Sequence, residues 1–228
     1  MANTENEKTV YFSVLEGIKL NILGDSYVVH TDAFEKWPKI LTDKYGLDCS
    51  NHGISGSQMS DHGTRKPMVE RYGAMPDNDP DIVILEGGRN DFNDRVPMGE
   101  NDSTDTKTFK GAANFLITKL REKYPHALML TITAWNVEGK NSVGFSTGDY
   151  GRAFAEISEL RGIPCFHSFD EELSGIHMND PAFRAKYCRT PGDVSHLNED
   201  GHYLFFPAIE RFIGEEYAKF LASKEKIT

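Results

Sequence analysis

The segment IVILEGGRND, residues 82–91, is the clearest indication of the fold in this 228-residue chain. Its first four residues form a continuous apolar run, as expected for a central parallel strand that helices cover on both faces. Glu86 and two glycines end the run, and Arg89, Asn90 and Asp91 follow. We therefore predict an α/β fold in which polar side chains lie directly after the carboxyl end of a buried strand.

Similar short apolar runs occur on both sides of this segment, separated by stretches of helical periodicity. Strands are predicted at residues 18–23, 48–51, 127–135 and 163–166. Helices are predicted at residues 34–45, 105–124, 154–160 and 205–220, with Pro207 near the start or at a kink of the last one. Residues 10–14 have the pattern of an extra edge strand within an N-terminal extension, residues 1–17. The alternation predicts βαβ units in one α/β domain, residues 18–228, with helices on both faces of a parallel sheet.

The composition and the cysteines argue against several classes of protein. With 35 Asp and Glu against 25 Lys and Arg, the net charge of −10 disfavours binding to nucleic acids and to anionic membranes. The three cysteines, Cys49, Cys165 and Cys188, form no CxxC pair, so we expect unpaired thiols rather than a zinc or redox motif. Neither a signal-peptide pattern nor a stretch of about 20 apolar residues is present. We expect a soluble, cytoplasmic protein.

Several polar or flexible residues are predicted at the carboxyl ends of the strands, where α/β sheets bind their ligands. Ser26 follows Gly24 and Asp25 after the first strand, beside helix amides that can bind negative charge. Asn90, after the central strand, has an uncharged amide that can stabilise an oxyanion. Gly53 follows the second strand. Taken singly, Ser26 is better explained as a helix cap, Asn90 as a turn residue and Gly53 as a loop glycine with positive φ.

A carboxylate and an imidazole, Asp193 and His196, lie three positions apart between the last strand and the last helix, which we expect Asn198 to cap. At this spacing the carboxylate can accept the Nδ1 hydrogen of the imidazole, which leaves Nε2 free to take a proton from a serine hydroxyl. The same spacing is common by chance, and alone it indicates only a surface pair. The order of all these groups along the chain, each at a predicted strand end, is the more specific signal.

Together these motifs resemble the four conserved blocks of the SGNH hydrolase superfamily, the GDSL-type lipases and esterases. The matching residues are Gly24-Asp25-Ser26, Gly53, Gly88-Arg89-Asn90-Asp91 and the segment DVSHLN, residues 193–198. The resemblance extends over residues 19–206, and Tyr27 stands where the family name has Leu. It implies a three-layer α/β/α fold with a flavodoxin-like central parallel sheet, and hydrolysis of esters through an acyl-enzyme.

The resemblance also implies a role for each matching residue. Ser26 is then the nucleophile, His196 the general base and later the general acid, and Asp193 the residue that orients His196. The N–H groups of Ser26 and Gly53 and the side-chain amide of Asn90 then form the oxyanion hole. This chemistry requires neither a metal nor another cofactor.

Polar segments between the blocks are expected to select the substrate. Residues 93–104, 136–148 and 168–191 are predicted to overhang the site as loops. The candidate substrate-binding residues are Tyr27, Arg89 and Trp135, with local packing as the alternative for each. Since no long exposed apolar segment suggests a lipase lid, we expect a small-molecule or saccharide ester, for instance an acetylated sugar. The net charge favours a neutral ester unless a cation such as Arg89 offsets it.

Two alternatives remain open from the residues alone. One is a metal-dependent phosphoesterase whose ligands would be Asp25, Asn90, Asp91, Asp193 and His196. It needs clustered His and Asp pairs as well, and the other histidines show no such spacing. The second is a non-catalytic binding module on the same fold, because a fold does not determine a function. Loss of activity with a chelator would favour the first, and absence of a triad residue would have favoured the second.

Overall fold

The computed structural model describes residues 14–63 and 66–226 and contains a five-stranded parallel sheet. The strands are β1 (Lys19–Gly24), β2 (Asp48–Gly53), β3 (Ile82–Gly87), β4 (Leu128–Thr133) and β5 (Cys165–Phe166). Their order is β2-β1-β3-β4-β5, which is the flavodoxin-like order. The predicted α/β fold is therefore confirmed. The edge strand predicted for residues 10–14 lies outside the described residues, apart from Val14, which is in a turn.

Helices cover both faces of the sheet. They are α1 (Trp37–Tyr45), α2 (Met68–Arg71), α3 (Arg89–Asn93), α4 (Phe109–Lys123), α5 (Thr147–Leu160), α6 (Glu171–Ser174), α7 (Pro181–Tyr187) and α8 (Glu199–Glu225). A turn of 3₁₀-helix, Tyr72–Ala74, follows α2. Helices α1 and α8 pack on one face of the sheet, and α2, α4 and α5 pack on the other. Within the described ranges, no helix is both long and apolar enough to cross a membrane.

The apolar run of β3 explains the three layers. Successive side chains of a strand point to opposite faces of the sheet. Ile82 and Ile84 join the buried cluster under α1 and α8, whereas Val83 and Leu85 join the cluster under α4 and α5. All four side chains are at most 1% exposed. A strand that is buried on both faces is apolar at every position, which is why the sequence IVIL predicts a central strand.

The last helix begins at Glu199, directly after Asn198, the cap residue that we expect from the sequence. Asn198 caps it, because its side-chain oxygen accepts the N–H of Gly201 at 2.9 Å. The apolar periodicity sets in only at Phe205, because the first turn carries polar residues. Pro207 lies inside the helix, where it has no N–H to donate. This start brings the positive end of the helix close to His196 in the chain.

The segment 168–191 is not the plain loop that the sequence predicts, because it contains α6 and α7. Asp170 and Asp180 cap these helices by accepting N–H groups of the first turns. Both helices are too short for apolar periodicity to reveal them. The segments 93–104 and 136–148 are irregular except where they meet α3 and α5, as predicted.

The strand order places the ends of β1 and β3 where the crossover connections diverge. From β1 the chain crosses through α1 to β2, and from β3 it crosses through α4 to β4 on the opposite face. In register, Gly24 at the end of β1 lies opposite Gly53 at the end of β2. In open α/β sheets this point holds the ligand crevice. The predicted site residues therefore meet at one edge of the sheet.

Candidate active site

Ser26 lies in the tight turn that follows β1. The N–H groups of Val28 and Val29 donate to the carbonyl oxygen of Asp25 at 3.4 and 3.1 Å, which closes the turn. Gly24 is required before it, since a Cβ there would lie 2.5 Å from Cγ2 of Val28. Ser26 is 7% exposed, and its own N–H makes no hydrogen bond within the described residues. A hydroxyl and an unoccupied backbone donor therefore lie together at the end of β1.

His196 and Asp193 reach Ser26 from the loop before α8. His196 Nε2 lies 3.1 Å from Ser26 Oγ, and His196 Nδ1 lies 3.1 Å from Asp193 Oδ2. The carboxylate is held in turn by the backbone N–H groups of Ser195 and His196, which donate to Asp193 Oδ1 at 2.8 and 2.9 Å. The structure brings together the serine, the imidazole and the carboxylate that stand out in the sequence.

The surroundings of His196 favour its neutral form. Burial lowers the pKa of His196, the Asp193 charge raises it, and the charges of Arg189 and Lys36 lower it, with a net result below the ordinary 6.5. Burial raises the pKa of Asp193, but the backbone donors and the His196 charge outweigh burial and hold this pKa below 3.8. At neutral pH the pair is a neutral imidazole beside a carboxylate, so Nε2 can accept a proton.

Gly53 does not offer the free donor that the sequence predicts. Its N–H already donates to Asn51 Oδ1 at 2.9 Å. It ends β2 without a positive φ, and a Cβ at this position would lie 2.6 Å from backbone atoms of Val29. The glycine is therefore needed because two backbones approach closely here, and this geometry does not support a role as an oxyanion donor.

Asn90 lies where the sequence predicts, in the first turn of α3. Its Nδ2 donates to Asp25 Oδ2 at 2.8 Å and to the carbonyl oxygen of Ser57 at 3.0 Å. Both amide hydrogens are thus used, and a further acceptor has to share one of them in a three-centre bond. The longer bond, to Ser57, is the easier one to share. Asn90 ties the Ser26 turn to the segment that follows β2.

Gly56 has the unoccupied donor that Gly53 lacks. It lies in the turn formed by residues 54–57, has a φ of +76° and is partly buried. This φ favours glycine, because side chains with a Cβ rarely adopt it. The N–H of Gly56 makes no hydrogen bond in the described part of the chain. The turn is anchored to the end of β1 by the N–H of Ile54, which donates to the carbonyl oxygen of Gly24 at 3.1 Å.

A buried pair of carboxyl groups lies beside the Ser26 turn. Asp25 and Glu86 are at most 1% exposed, and the backbone N–H of Asp25 donates to Glu86 Oε2 at 2.9 Å. Asp25 Oδ1 accepts the N–H of Tyr27 at 2.9 Å. Burial raises the pKa of Asp25 to about 6, and burial together with the Asp25 charge raises the pKa of Glu86 well above its ordinary 4.5. Burial therefore favours the protonated form of Glu86.

Glu86→Gln is expected to stabilise the protein at alkaline pH. Because burial raises the folded-state pKa of both carboxyl groups, the folded state binds more protons than the unfolded state, so the wild type loses stability as the pH rises from about 4. Glutamine keeps an oxygen for the Asp25 N–H and does not ionise. In urea unfolding, the free energy of unfolding of the variant should exceed that of wild type by about 1 kcal/mol or more at pH 8. The two values should be close near pH 4. The control is Glu138→Gln on an exposed loop, where the removed charge is not buried. If Glu86→Gln were less stable than wild type at pH 8, the burial argument would be wrong.

Two cations hold the backbone of the site. Lys36, 3% exposed, donates from Nζ to the carbonyl oxygen of Ser26 at 2.7 Å. Burial lowers the pKa of Lys36 to about 8, the Arg189 charge acts in the same direction, and the buried carboxyl pair opposes both. Arg71, at the end of α2, donates from Nη2 to the carbonyl oxygen of Gly24 at 2.6 Å. Both side chains act on carbonyl groups of the turn that carries the serine.

The candidate substrate-binding residues Tyr27, Trp135 and Arg89 are 3%, 2% and 7% exposed. Tyr27 stacks on Trp135 with ring centroids 3.8 Å apart, and its edge faces His196 at 6.4 Å. Trp135 Nε1 donates to the carbonyl oxygen of Ser195 at 2.9 Å, and Arg89 Nε donates to Ser195 Oγ at 3.0 Å. The side chains therefore support the loop that carries His196, as the packing alternative predicts. Arg89 keeps Nη1 without a partner among the described residues.

The described residues contain no group of three or more His, Cys, Asp or Glu side chains arranged to hold a metal ion. The carboxylates named for a phosphoesterase centre have separate partners. Asp91, for example, accepts the N–H groups of Met59 and Ser60 at 3.0 and 3.1 Å. The three cysteines are unpaired. The geometry does not gather the ligand set that a metal-dependent phosphoesterase needs.

The sequence does not identify three residues of the site: Gly56, Lys36 and Arg71. Gly56 follows Gly53 in the motif NHGISG, and the serine-glycine pair at residues 55–56 is a turn signal that could have identified it. Lys36 and Arg71 belong to no motif, because their partners are backbone carbonyl groups, which any residue provides. Only the folded chain shows what these two cations hold.

Comparisons with known proteins point to one family and one fold. Residues 22–204 match the GDSL-like Lipase/Acylhydrolase family. No curated protein matches the chain significantly. A crystal structure of a protein from Lactobacillus plantarum is 27% identical, with a TM-score of 0.73 over 91% of this chain and 98% of that one. An acetylxylan esterase from Geobacillus stearothermophilus is 20% identical, with a TM-score of 0.59 over 87% of this chain and 95% of that one, which shows the fold alone.

The family match covers most of the chain, including both the Ser26 turn and the loop with Asp193 and His196. The sheet order and the site at the ends of β1 and β3 agree with it. The chain therefore belongs to the GDSL-like lipase/acylhydrolase family of the SGNH hydrolase superfamily.

Proposed function

We propose that the protein is a serine ester hydrolase that acts through an acyl-enzyme, with Ser26 as nucleophile, His196 as general base and acid, and Asp193 orienting His196. One observation carries the proposal: the imidazole bridges the other two side chains, with 3.1 Å from Nδ1 to Asp193 Oδ2 and 3.1 Å from Nε2 to Ser26 Oγ. The lowered pKa of His196 supports it, since a base has to be neutral at rest. Covalent labelling of Ser26 by a fluorophosphonate tests it.

The reaction steps follow from these contacts. Ser26 Oγ attacks the carbonyl carbon of the ester while His196 Nε2 takes the hydroxyl proton, and the carbonyl oxygen becomes an oxyanion. The imidazolium, paired with the Asp193 carboxylate, then gives the proton to the leaving alcohol as the ester C–O bond breaks. Water repeats both steps on the acyl-enzyme, which releases the acid and restores the Ser26 hydroxyl.

In this proposal the oxyanion is bound by the N–H groups of Ser26 and Gly56. Neither group has another acceptor in the described residues, so both can donate without giving up a bond. Donors that the backbone already holds in place cost no reorganisation when the charge develops. Asn90 adds a third donor by sharing the hydrogen that it gives to Ser57. This assignment replaces Gly53, whose N–H is bound to a side chain.

The pH dependence of kcat/KM should show the lowered pKa of His196. Only the neutral imidazole accepts the Ser26 proton, so activity falls as the pH drops through the pKa of His196. The midpoint of this acid limb is expected below pH 6.5, because burial and the charges of Arg189 and Lys36 act together. Arg189→Gln, which removes one of these charges, should move the midpoint upward. A wild-type midpoint above 6.5, or a downward shift in the variant, would contradict this account.

We propose a short-chain ester, such as an O-acetylated carbohydrate, as the substrate. The similarity in fold to an acetylxylan esterase is one support. The other is the polar character of the loops 93–104 and 136–148, which present no long apolar surface for a fatty acyl chain. In a series of p-nitrophenyl esters, kcat/KM is expected to be highest for acetate and to fall with each added methylene pair. Release of acetate from acetylated xylo-oligosaccharides, with their deacetylated forms as the blank, then tests whether the alcohol part of the ester is a sugar. A preference for long acyl chains would overturn the assignment.

A further inference from the structure

Arg71 contacts three backbone segments that meet at the site. Its Nη2 donates to the carbonyl oxygen of Gly24, at the end of β1, at 2.6 Å, and its Nη1 donates to the carbonyl oxygen of His52, near the end of β2. Nη2 and Nε also donate to Ser57 Oγ at 3.0 and 3.3 Å. One guanidinium group thus joins the ends of two neighbouring strands to the turn at residues 54–57.

These same atoms hold the turn at residues 54–57 at both ends, and Asn90 Nδ2 also donates to the carbonyl oxygen of Ser57 at 3.0 Å. At its start, the N–H of Ile54 donates to the Gly24 carbonyl oxygen that Arg71 also contacts. At its end, Ser57 Oγ accepts from Arg71 and donates to the carbonyl oxygen of Lys66 at 2.8 Å. Gly56, with its unoccupied N–H, lies between the two anchored ends.

Arg71 is half-buried and remains charged in this position. Burial lowers the pKa of Arg71 to about 10, and the charges of Asp25 and Glu86 oppose this effect. A guanidinium is planar, with five N–H donors in a rigid fork, so it can bridge several acceptors in one plane. The ammonium group of lysine is a point charge on a flexible stem and cannot bridge both strand ends with the same geometry.

We infer that Arg71 is a positioning residue: it holds the turn that carries Gly56 against the turn that carries Ser26, so that their two N–H groups face one oxyanion. The inference rests on the proposed function, which supplies the oxyanion. The donors act on charge that develops in the transition state, so a displaced Gly56 affects the chemical step more than substrate binding. A misplacement of about 1 Å can lower the rate by about 10²-fold.

The test compares Arg71→Lys and Arg71→Met with wild type and with Arg211→Lys, an exposed arginine on α8. Both Arg71 variants are expected to lower kcat on p-nitrophenyl acetate by about 10²-fold with KM changed less than about threefold. Inhibition by a boronic acid, which forms a tetrahedral anion on the serine, should weaken by a similar factor. The fraction of sites that a fluorophosphonate labels at completion counts the folded enzyme and should stay at the wild-type value. A merely structural role would instead reduce this fraction and leave kcat per labelled site unchanged.

Ser57→Ala provides a second route if the Arg71 variants do not fold. It removes the side-chain acceptor at the end of the turn and leaves the arginine in place, and we expect the same pattern with about a tenfold loss in kcat. In the double variant with Arg71→Lys the losses should not add, since both changes act on one contact. Wild-type kcat in Arg71→Lys, or an unchanged kcat in Ser57→Ala, would overturn the inference while leaving the ester hydrolase proposal intact. If the wild type itself hydrolyses no ester and takes no label, both fall.

Discussion

Ser26→Ala is expected to lower kcat on an ester by about 10⁶-fold. His196 Nε2 lies 3.1 Å from the Ser26 hydroxyl, and alanine leaves it no nucleophile to activate. A small residual rate should remain, because backbone donors can still stabilise attack by water. His196→Ala should have an effect of similar size, and the double variant should be no slower than either single variant, because the two residues act as a unit. Steady-state hydrolysis of p-nitrophenyl acetate by the four proteins measures these ratios.

The matched control is Ser223→Ala, an exposed serine at the far end of α8, which should keep wild-type activity. Mass spectrometry after fluorophosphonate treatment should show one added group, located on Ser26, and none in Ser26→Ala. A folded Ser26→Ala variant with substantial esterase activity would refute the assignment of the nucleophile. Labelling at another serine would refute it as well.

Asp193→Asn is expected to lower kcat by about 10⁴-fold although the fold is unchanged. Asp193 Oδ1 accepts the N–H groups of Ser195 and His196, and Oδ2 faces His196 Nδ1. An asparagine keeps its oxygen toward the two backbone donors, so its NH₂ group faces Nδ1. His196 Nδ1 must then accept a hydrogen bond from this NH₂ group, so the ring proton moves to Nε2. A protonated Nε2 can no longer take the proton of Ser26.

The loss in Asp193→Asn should therefore be in kcat and should become smaller at high pH, where hydroxide can remove the proton instead. Thermal unfolding should stay near wild type, since all backbone contacts of the side chain are retained. Asp102→Asn, on an exposed turn, controls for the loss of one negative charge. If the folded Asp193→Asn variant kept a kcat within about tenfold of the wild-type value, the carboxylate would not be the group that orients the imidazole.

Cations lie close to Ser26, beside the carboxyl groups of Asp25, Glu86 and Asp193, although the chain as a whole is negative. Lys36 and Arg71 bind the backbone of the Ser26 turn, and the charge of Arg189 reaches His196, whereas the chain as a whole carries −10. Nearby and partly buried charges act more strongly than distant surface charges, which solvent and salt screen. The overall charge therefore says less about the substrate than the cations and carboxyl groups at the site do. This is the exception that the prediction of a neutral ester allows.

The elements that the sequence predicts well are those with a long apolar pattern. The run at residues 82–85 predicts β3, and residues 105–124 predict α4 with small errors at its ends. The prediction fails where the pattern is short or polar, as in α6, α7 and the first turns of α5. These elements are stabilised by capping side chains and by packing against the rest of the protein, and neither effect produces an apolar period.

The residues of the candidate site also fall into two groups, those that the sequence predicts and those that it does not. The types and order of Ser26, Asn90, Asp193 and His196 can be read from the chain, because each side chain performs its own chemistry and each follows a recognisable strand or precedes a recognisable helix. The proposed choice of Gly56 over Gly53 as an oxyanion donor cannot be read from the chain. Neither can the backbone contacts of Lys36 and Arg71. They depend on which N–H and C=O groups remain unoccupied after the strands have aligned, and every residue has the same backbone groups. The distances between these groups are set only when the chain folds.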